Sequence, residues 1–258
     1  MSVFTNRWSW YELLSSDPEG AKAFYRAVVG YQFQPWPDPA MAYTLVQTPG
    51  GRAIGGMMQL PAEVTAAGVP SHWIGTIEVE DVDAVAARVV ALGGKVMYPP
   101  SDIPNVGRFA NFADPQGAAF AVMSPKQAST EPLPGPEVGG ICWAELWAPA
   151  PEAALGFYGE LFGWVQQSEM PLGEHGTYHI YGVPNDPNGL GGIAKLMPGQ
   201  PAPAWLFYFI VEGIEAAMER IRAAGGQVIV GPQEVPGGGR FVIGVDPQGA
   251  AFAVLSVS

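Results

Sequence analysis

Residues Phe112–Ser124 read FADPQGAAFAVMS, and residues Val245–Ser256 read VDPQGAAFAVLS. The similarity continues upstream, where the sequence WYEL beginning at Trp10 is matched by WAEL beginning at Trp143. A repeat of this length indicates that the chain is built from two similar halves. Each half therefore serves as a control for the other, and positions at which the halves differ are the better indicators of a specific site.

Two domains are predicted from the repeat and from the length of 258 residues. The predicted boundaries are a first domain at residues 1–124, a linker rich in Pro and Gly at residues 125–140, and a second domain at residues 141–258. Each domain is long enough to bury a core of its own. Hydrophobic residues make up 48% of the chain and charged residues 14%, which is typical of a globular protein and not of a disordered one.

The charge and the cysteine content narrow the range of partners. The formal net charge of −12 repels phosphate backbones and acidic lipid headgroups, so we predict no nucleic-acid partner and no membrane partner. The single cysteine fits a reducing compartment. The first residues show no signal-peptide pattern, and no apolar run approaches the roughly 20 residues that span a bilayer. A soluble, cytoplasmic protein is therefore predicted.

The apolar periodicity and the turn signals predict strand–helix–strands units, two in each half. In the first unit, Trp8–Leu14 is predicted to be a strand, and Asp17 followed by Pro18 begins a helix. The DPQG stretches predict hairpin turns, because Asp is favoured at the first turn position, Pro at the second and Gly at the fourth. Two segments, Gln34–Ala42 and Ser168–Thr177, are predicted to be loops that shape the ligand-binding region.

A βαβββ unit that is used four times resembles the vicinal oxygen chelate superfamily, which includes glyoxalase I, extradiol dioxygenases, epimerases and bleomycin-resistance proteins. The resemblance rests on DPEGAKAFY at Asp17–Tyr25 and on the two DPQG hairpins, and it covers nearly the whole chain. The chain looks most like the tandem two-repeat, glyoxalase-like proteins. The resemblance implies an α+β fold in which four βαβββ modules are paired into two open, cup-like sheets around a ligand pocket.

Metal-using members of that superfamily place four ligands at recurring positions. The resemblance maps these positions onto Trp10, Gly55-Gly56, Ile74 and Ala121 in the first half, and onto Trp143, Gly191-Gly192, Leu206 and Ala253 in the second half. None of these residues carries an imidazole, carboxylate or thiolate group. We therefore predict no metal at the usual positions and no cofactor, and an apolar cup with aromatic walls. The alternative is a divalent metal at a displaced site.

Two glutamates are candidates for a polar role inside the cups. Strand alternation predicts that Glu12 shares a face with Trp10, and that Glu145 shares a face with Trp143. An unpaired carboxylate in an apolar cup has a raised pKa and can serve as a general base. The alternative is a structural ion pair, Glu12 with Arg108, which the second half repeats as Glu145 with Arg240.

His72 is a further candidate because its counterpart in the second half is Ala204. It lies two residues before Ile74, so it shares the cup-facing side if the strand extends that far. A histidine near Glu12 would provide an acid–base pair or a ligand for a displaced metal. The alternative is a half-exposed histidine at the start of a strand, next to Pro70.

Three functions remain open at this point. The first is a metal-independent, small-molecule-binding protein of the bleomycin-sequestering type, which holds an aromatic or hydrophobic ligand. The second is a lyase, isomerase or hydroxylase-like enzyme that uses Glu12 and His72 as catalytic residues. The third is a regulatory or scaffold protein whose cups are filled by its own side chains. The predicted ligand-binding residues are Trp10, Glu12, His72, Arg108, Trp143, Glu145 and Arg240.

The difference between the halves at His72 favours a single active cup, formed by the first half. The predicted partner is a small-molecule ligand. Because a tandem chain already pairs its own modules, the chain is predicted to be a monomer with an internal pseudo-dimer, or a homodimer.

Overall fold

The computed structural model describes residues 2–38, 41–129, 133–197, 200, 202–236 and 238–256. The first half contains β1 (Trp8–Ser15), α1 (Pro18–Val28), β2 (Gln32–Pro35), β3 (Tyr43–Gln47), β4 (Ala53–Gln59), α2 (Ala62–Ala66), β5 (His72–Glu78), α3 (Val82–Ala91), β6 (Lys95–Ile103), β7 (Gly107–Ala113) and β8 (Ala119–Pro125). The second half contains β9 (Ile141–Ala148), α4 (Pro151–Phe162), β10 (Val165–Pro171), a 3₁₀ turn (Gly173–His175), β11 (Thr177–Gly182), β12 (Gly191–Lys195), β13 (Ala204–Ile210), α5 (Ile214–Ala223), β14 (Gln227–Glu234), β15 (Arg240–Val245) and β16 (Ala251–Ser256). Within these ranges, no helix combines the length and the apolar character that crossing a membrane requires.

Each half forms one eight-stranded sheet, and the two sheets share the same strand order. The order is β2-β3-β4-β1-β5-β8-β7-β6 in the first half and β10-β11-β12-β9-β13-β16-β15-β14 in the second. Strand β1 runs parallel to β4, and β5 runs parallel to β8, whereas the hairpins are antiparallel. Both sheets are therefore mixed and end in free edges. The predicted α+β fold, with four βαβββ modules in two open sheets, is confirmed.

Helix α1 forms where the sequence provides a start signal, an apolar stripe and a stop signal. The Asp17 side chain caps the helix by accepting a hydrogen bond of 3.0 Å from the backbone N–H of Gly20, and Pro18 occupies the first turn. Gly30 follows the helix with a φ of 85°, a conformation that glycine adopts without steric cost. The buried face of the helix consists of Ala21, Phe24, Tyr25 and Val28.

Two segments that were predicted to be loops contain strands at the edges of the sheets. Gln34 and Pro35 end β2, which pairs with β3, and residues 168–171 belong to β10, which pairs with β11. The loop prediction is wrong at these residues because the local signals are weak: β2 has only four residues and ends in Pro35, and residues 168–171 show no alternation of apolar and polar residues. Their extended conformation comes from hydrogen bonds to the neighbouring strand. Residues 39 and 40 of the first segment lie outside the described residues.

The described residues form two compact units, and each unit contains segments from both halves of the sequence. One unit, which we call the α1 unit, contains the described residues of 10–74, 134–142 and 206–258. The other, the α4 unit, contains those of 1–9, 75–133 and 143–205. Each unit thus combines the first helix of one half with the DPQG hairpin of the other half.

In the α1 unit, Tyr25 connects helix α1 to the second DPQG turn. Its hydroxyl donates a hydrogen bond of 3.1 Å to Asp246 Oδ2 and accepts one of 2.8 Å from Trp73 Nε1. Asp246 Oδ1 accepts hydrogen bonds from the backbone N–H groups of Gln248 and Ala250, at 2.9 and 2.8 Å. Burial raises the pKa of Asp246, and these hydrogen bonds oppose the rise.

The α4 unit repeats this arrangement with exchanged halves. The Tyr158 hydroxyl donates to Asp114 Oδ2 at 3.2 Å and accepts from Trp205 Nε1 at 3.1 Å. Asp114 Oδ1 accepts from the backbone N–H groups of Gln116 and Ala118, at 2.8 and 2.9 Å. The same buried contact therefore fixes the first helix of each half.

We expect Tyr25→Phe to lower the free energy of unfolding by about 1–3 kcal/mol, because the buried Trp73 N–H and an Asp246 oxygen lose their shared partner. Urea unfolding at neutral pH measures this change. Tyr158→Phe should cost a similar amount, since it removes the equivalent hydroxyl. Tyr98→Phe is the control, because Tyr98 is 46% exposed. Equal losses in all three variants, or no loss in the first two, would contradict this interpretation.

Candidate functional site

A tryptophan, a tyrosine and a glutamate of the first half form a hydrogen-bonded cluster. The Tyr43 hydroxyl on β3 donates to Glu12 Oε1 at 2.9 Å and accepts from Trp10 Nε1 at 2.8 Å. Trp10 and Glu12 both lie on β1. Because side chains alternate along a strand, these two residues share a face of β1, and their common contact with Tyr43 agrees with this. We call these three residues the Glu12 cluster.

The Glu12 cluster depends on a glycine in the strand that separates its members. Strand β4 lies between β3 and β1, and its Gly56 is the register partner of Glu12. A Cβ atom on residue 56 would lie 1.9 Å from the Tyr43 hydroxyl oxygen and 2.0 Å from Tyr43 Cζ. Tyr43 therefore reaches Glu12 across β4 because residue 56 has no side chain.

The surroundings of Glu12 change its acidity and leave part of it accessible. Burial raises the pKa of Glu12, and the hydrogen bond from Tyr43 opposes that rise. Glu12 is half-buried, and its Oε2 accepts no hydrogen bond from the residues that the structure describes. The carboxyl group therefore keeps its proton to a higher pH than an exposed glutamate does, and one of its oxygens is open to a ligand.

The second half repeats the cluster but closes it. The Tyr178 hydroxyl donates to Glu145 Oε2 at 2.6 Å and accepts from Trp143 Nε1 at 2.8 Å. Trp147 Nε1 donates to Glu145 Oε1 at 2.6 Å, and the residue equivalent to Trp147 in the first half is Leu14. Glu145 is 4% exposed. Both of its oxygens are thus engaged inside the protein, which is the main difference between the Glu12 cluster and this Glu145 cluster.

The two arginines do not pair with the glutamates of these clusters. Arg108 binds Asp83 of α3 through two hydrogen bonds of 2.7 and 2.9 Å and also contacts Asp102, and Arg240 binds Glu215 of α5 at 2.9 Å. The predicted Glu12–Arg108 and Glu145–Arg240 ion pairs are therefore wrong.

The physical reason is the alternation of side chains on β7 and β15. Arg108 shares its face of β7 with Ala110 and Phe112, which are fully buried. The contact with Asp83 shows that this face is turned towards helix α3. Arg240 meets α5 in the same way on β15. Both arginines therefore form ion pairs at the partly exposed margin of a helix.

His72 begins β5, and its ring is held by the backbone. Its Nδ1 lies 2.9 Å from the Pro70 carbonyl oxygen, and the side chain is half-buried. Within the described chain, His72 forms no hydrogen bond or ion pair with Glu12. The structure thus places His72 as a strand-start histidine next to Pro70 and does not bring it together with Glu12 as an acid–base pair.

Three residues of the two clusters, Tyr43, Tyr178 and Trp147, are not among the predicted ligand-binding residues. The sequence indicates only that the two tyrosines are pocket or core aromatics. A usable signal existed for the tyrosines, because each half has a tyrosine on the strand that precedes its Gly-Gly pair. Trp147 is visible as a difference between the halves, since Leu14 takes its place. Neither signal indicates by itself that the side chain reaches a glutamate.

The residues at the positions that the resemblance assigns to metal ligands do not fit a metal. The Trp10 indole is bonded to Tyr43, and the Tyr43 hydroxyl occupies the space of a side chain at residue 56. Ile74 and Ala121 have hydrocarbon side chains. The Glu12 cluster supplies one carboxylate, and protein metal sites use several donor groups. In the described ranges, no group of three or more His, Cys, Asp or Glu residues is arranged to hold a metal ion.

The two open sheets of βαβββ modules define the class of protein, a tandem α+β protein with one such sheet in each half. A comparison with protein families agrees with this class. The family model of the Glyoxalase/Bleomycin resistance protein/Dioxygenase superfamily matches residues 7–122 and 140–254. The chain therefore belongs to this superfamily, and the predicted family resemblance is confirmed.

Similar proteins include both named relatives and solved structures. The putative glyoxylase CFP32 of Mycobacterium tuberculosis (strain CDC 1551 / Oshkosh) is 35% identical over 249 residues, covering 96% of this chain and 93% of the relative. The anthracycline biosynthesis protein DnrV of Streptomyces peucetius is 28% identical over 261 residues, covering 96% and 92%. The Mn(II)-bound glyoxalase from Novosphingobium aromaticivorans superposes with a TM-score of 0.68 at 18% identity, covering 100% of this chain and 84% of that chain. At that identity, the structural likeness shows the fold alone.

We expect Gly56→Ala to displace the Tyr43 ring and to lower the free energy of unfolding by about 1–3 kcal/mol, because the new methyl group overlaps the ring and both hydrogen bonds break. Tyr43→Ala should remove most of this penalty, so the double variant should lose less than the sum of the single variants. Urea unfolding of the four proteins measures the coupling. Gly135→Ala is the control, since nothing lies within 4 Å of its added Cβ. Additive losses would contradict the proposed steric role.

We expect Glu12→Gln to gain stability relative to the unsubstituted protein as the pH rises. A raised pKa in the folded state means that ionisation of Glu12 opposes folding, so the penalty is absent below the ordinary value of 4.5 and grows up to the raised value. Urea unfolding between about pH 4.5 and about pH 8 follows the difference between the two proteins. Glu63→Gln, on the exposed side of α2, is the matched glutamate-to-glutamine control. A constant difference for Glu12→Gln would disprove the raised pKa.

Proposed function

We propose that the chain binds a flat, hydrophobic, fused-ring small molecule at the Glu12 cluster, without a metal. The observation that carries this proposal is the open oxygen of Glu12, which lies beside the rings of Trp10 and Tyr43. Aromatic side chains favour flat apolar ligands, and a few polar groups set the orientation of the ligand in such sites. In its protonated form, Glu12 can donate a hydrogen bond to a carbonyl oxygen of the ligand.

The names of the family and of one relative support this ligand class. Bleomycin resistance is part of the superfamily's name, and resistance by sequestration requires binding and no chemistry. The relative DnrV is named an anthracycline biosynthesis protein, and anthracyclines are fused-ring compounds that carry carbonyl groups. A cytoplasmic location belongs to the same proposal, because the chain is acidic and has one cysteine.

In this proposal, the contacts with the ligand come from Trp10, Tyr43 and Glu12. We leave His72, Arg108 and Arg240 out of the binding site, because Pro70, Asp83 and Glu215 respectively hold their polar groups. The closed Glu145 cluster does not take this ligand, since both carboxylate oxygens of Glu145 already accept hydrogen bonds. Binding of this ligand thus belongs to the first half.

We expect 9-fluorenone, a flat fused-ring ketone with no ionisable group, to bind and to quench tryptophan fluorescence. Its affinity should fall as the pH rises through the raised pKa of Glu12, because the ionised carboxylate no longer donates to the ketone. Glu12→Gln should bind 9-fluorenone with little dependence on pH, since its amide N–H remains a donor. Glu145→Gln is the matched control and should keep the pH dependence of the unsubstituted protein. A pH dependence that survives in Glu12→Gln would refute the proposed contact.

A second candidate function is proton transfer by Glu12, as in a lyase or an isomerase. The raised pKa and the open oxygen of Glu12 favour it as well, and one relative is named a putative glyoxylase. The carboxylate would accept a proton from a carbon next to a ligand carbonyl, and the electrons of that C–H bond would form the double bond of an enolate. Return of the proton to the opposite face of that carbon gives the epimer, and its transfer to the enolate oxygen gives the enol tautomer.

Hydrogen exchange separates this second candidate from binding alone. In D₂O, an enzyme of this type should exchange the carbon-bound hydrogens of hydroxyacetone for deuterium, and NMR measures the rate. Glu12→Gln should lose the exchange, because its amide cannot accept the proton. If the exchange instead requires Zn, Ni, Mn or Fe that co-purifies at about one ion per chain and is removed by a chelator, the displaced-metal alternative replaces this proposal.

A further inference from the structure

A cavity of about 610 Å³ lies in the second half of the chain, within the α4 unit. The Trp143 ring and Ile180 line it, together with the start of β10 and the connection between β11 and β12. Its volume falls in the range of small-molecule sites, roughly 300–1,000 Å³. Of the Glu145 cluster, Trp143 lines this cavity and Glu145 does not. The Glu145 carboxylate is therefore not one of the polar groups of the cavity.

The connection that forms one wall of the cavity distinguishes the second half from the first. It runs from residue 183 to residue 190, whereas the equivalent connection between β3 and β4 runs from residue 48 to residue 52. Arg7 forms an ion pair of 2.6 Å with Asp186 of this connection, and Gln167 Nε2 donates a hydrogen bond of 2.6 Å to the Asp186 carbonyl oxygen. A wall that is held in this way before binding reduces the entropy lost when a ligand binds.

The lining of the cavity selects for an uncharged ligand. No Lys, Arg or His is among its lining residues, and Arg7 neutralises the charge of Asp186. Gln167, Ser168 and Asn185 are among the lining residues, and the Gln167 amide oxygen, the Ser168 hydroxyl and the Asn185 side-chain amide form no hydrogen bond within the described part of the chain. These groups offer both donors and acceptors, while the Trp143 ring offers an apolar surface.

We propose that this cavity is a second ligand site, separate from the Glu12 cluster, for an uncharged planar ring that carries a hydrogen-bond donor and an acceptor side by side. A carboxamide on an aromatic ring and a cyclic amide both have this chemistry. The ring lies against Trp143, and the amide group bonds to Ser168 and Asn185. A charged ring of the same shape is disfavoured relative to the amide, because no lining residue supplies an unpaired counter-charge.

Three probes of nearly identical shape test the proposal. Benzamide is neutral, benzoate is negative and benzamidine is positive at neutral pH. The indole N–H of Trp143 is the reporter, because it donates to Tyr178 and its ring lines the cavity. In protein labelled with ¹⁵N-tryptophan, Trp143→Phe identifies this resonance. We expect benzamide to shift it saturably, and benzoate and benzamidine to bind at least about tenfold more weakly.

Variants at the cavity wall sharpen the test. Ser168→Ala and Asn185→Gly should each weaken the binding of benzamide by about three- to tenfold, the usual effect of one hydrogen bond. Both residues are exposed, and glycine tolerates the φ of 64° at residue 185, so these variants should fold. Ser168→Tyr removes the hydroxyl and adds a ring at the cavity wall, so it should weaken the binding of benzamide more than Ser168→Ala does.

The reporter is Trp143 of the second half, so failure of 9-fluorenone to bind at the Glu12 cluster does not decide the outcome here. Equal binding of the three probes, no saturable shift with benzamide, or binding in Ser168→Tyr as tight as in the unsubstituted protein would each overturn the proposal.

Discussion

A buried carboxylate in each DPQG turn is the constraint on which the rest of the fold depends. Burying a carboxylate is costly unless hydrogen bonds satisfy both oxygens. In Asp246, backbone N–H groups of the turn satisfy Oδ1, and Tyr25 of the other half satisfies Oδ2. The turn and helix α1 are therefore fixed together. Because β1 leads directly into α1, this contact also positions the strand that carries Glu12.

The two halves have the same fold, but their glutamates, Glu12 and Glu145, differ in the hydrogen bonds that they accept. In both, a tyrosine crosses a glycine to reach a glutamate, since a side chain on that glycine would overlap the tyrosine. The outcome then depends on one neighbouring position. Trp147 donates to the second oxygen of Glu145, whereas Leu14, its counterpart, has no donor. A single side chain thus separates a satisfied structural carboxylate from one that has an oxygen available to a ligand.

Much of the fold was predictable because its signals are local. The helix start at Asp17 and Pro18 and the Asp-Pro-Gln-Gly turns depend on neighbouring residues, and the structure has them where they were expected. Strand β2 was not predictable in this way, because it has only four residues and ends in a proline, and its extended form comes from pairing with β3. The Arg108 prediction failed for a related reason, since the face of β7 that meets α3 is a property of packing and not of spacing.

The sequence by itself determined the repeat, the family, the α+β class and the placement of Trp10 and Glu12 on one face of a strand. Periodicity and turn chemistry carry the fold class and the placement of these residues within short stretches of chain, whereas the family rests on the resemblance of the Asp17–Tyr25 and DPQG motifs. Only the tertiary structure decided which partner each charged or polar group has. Tyr43 reaches Glu12 across β4, and Tyr25 reaches Asp246 from the other half of the chain. Such contacts join residues that are remote in sequence, and they depend on strand order and on the absence of a side chain at Gly56, which no local pattern specifies.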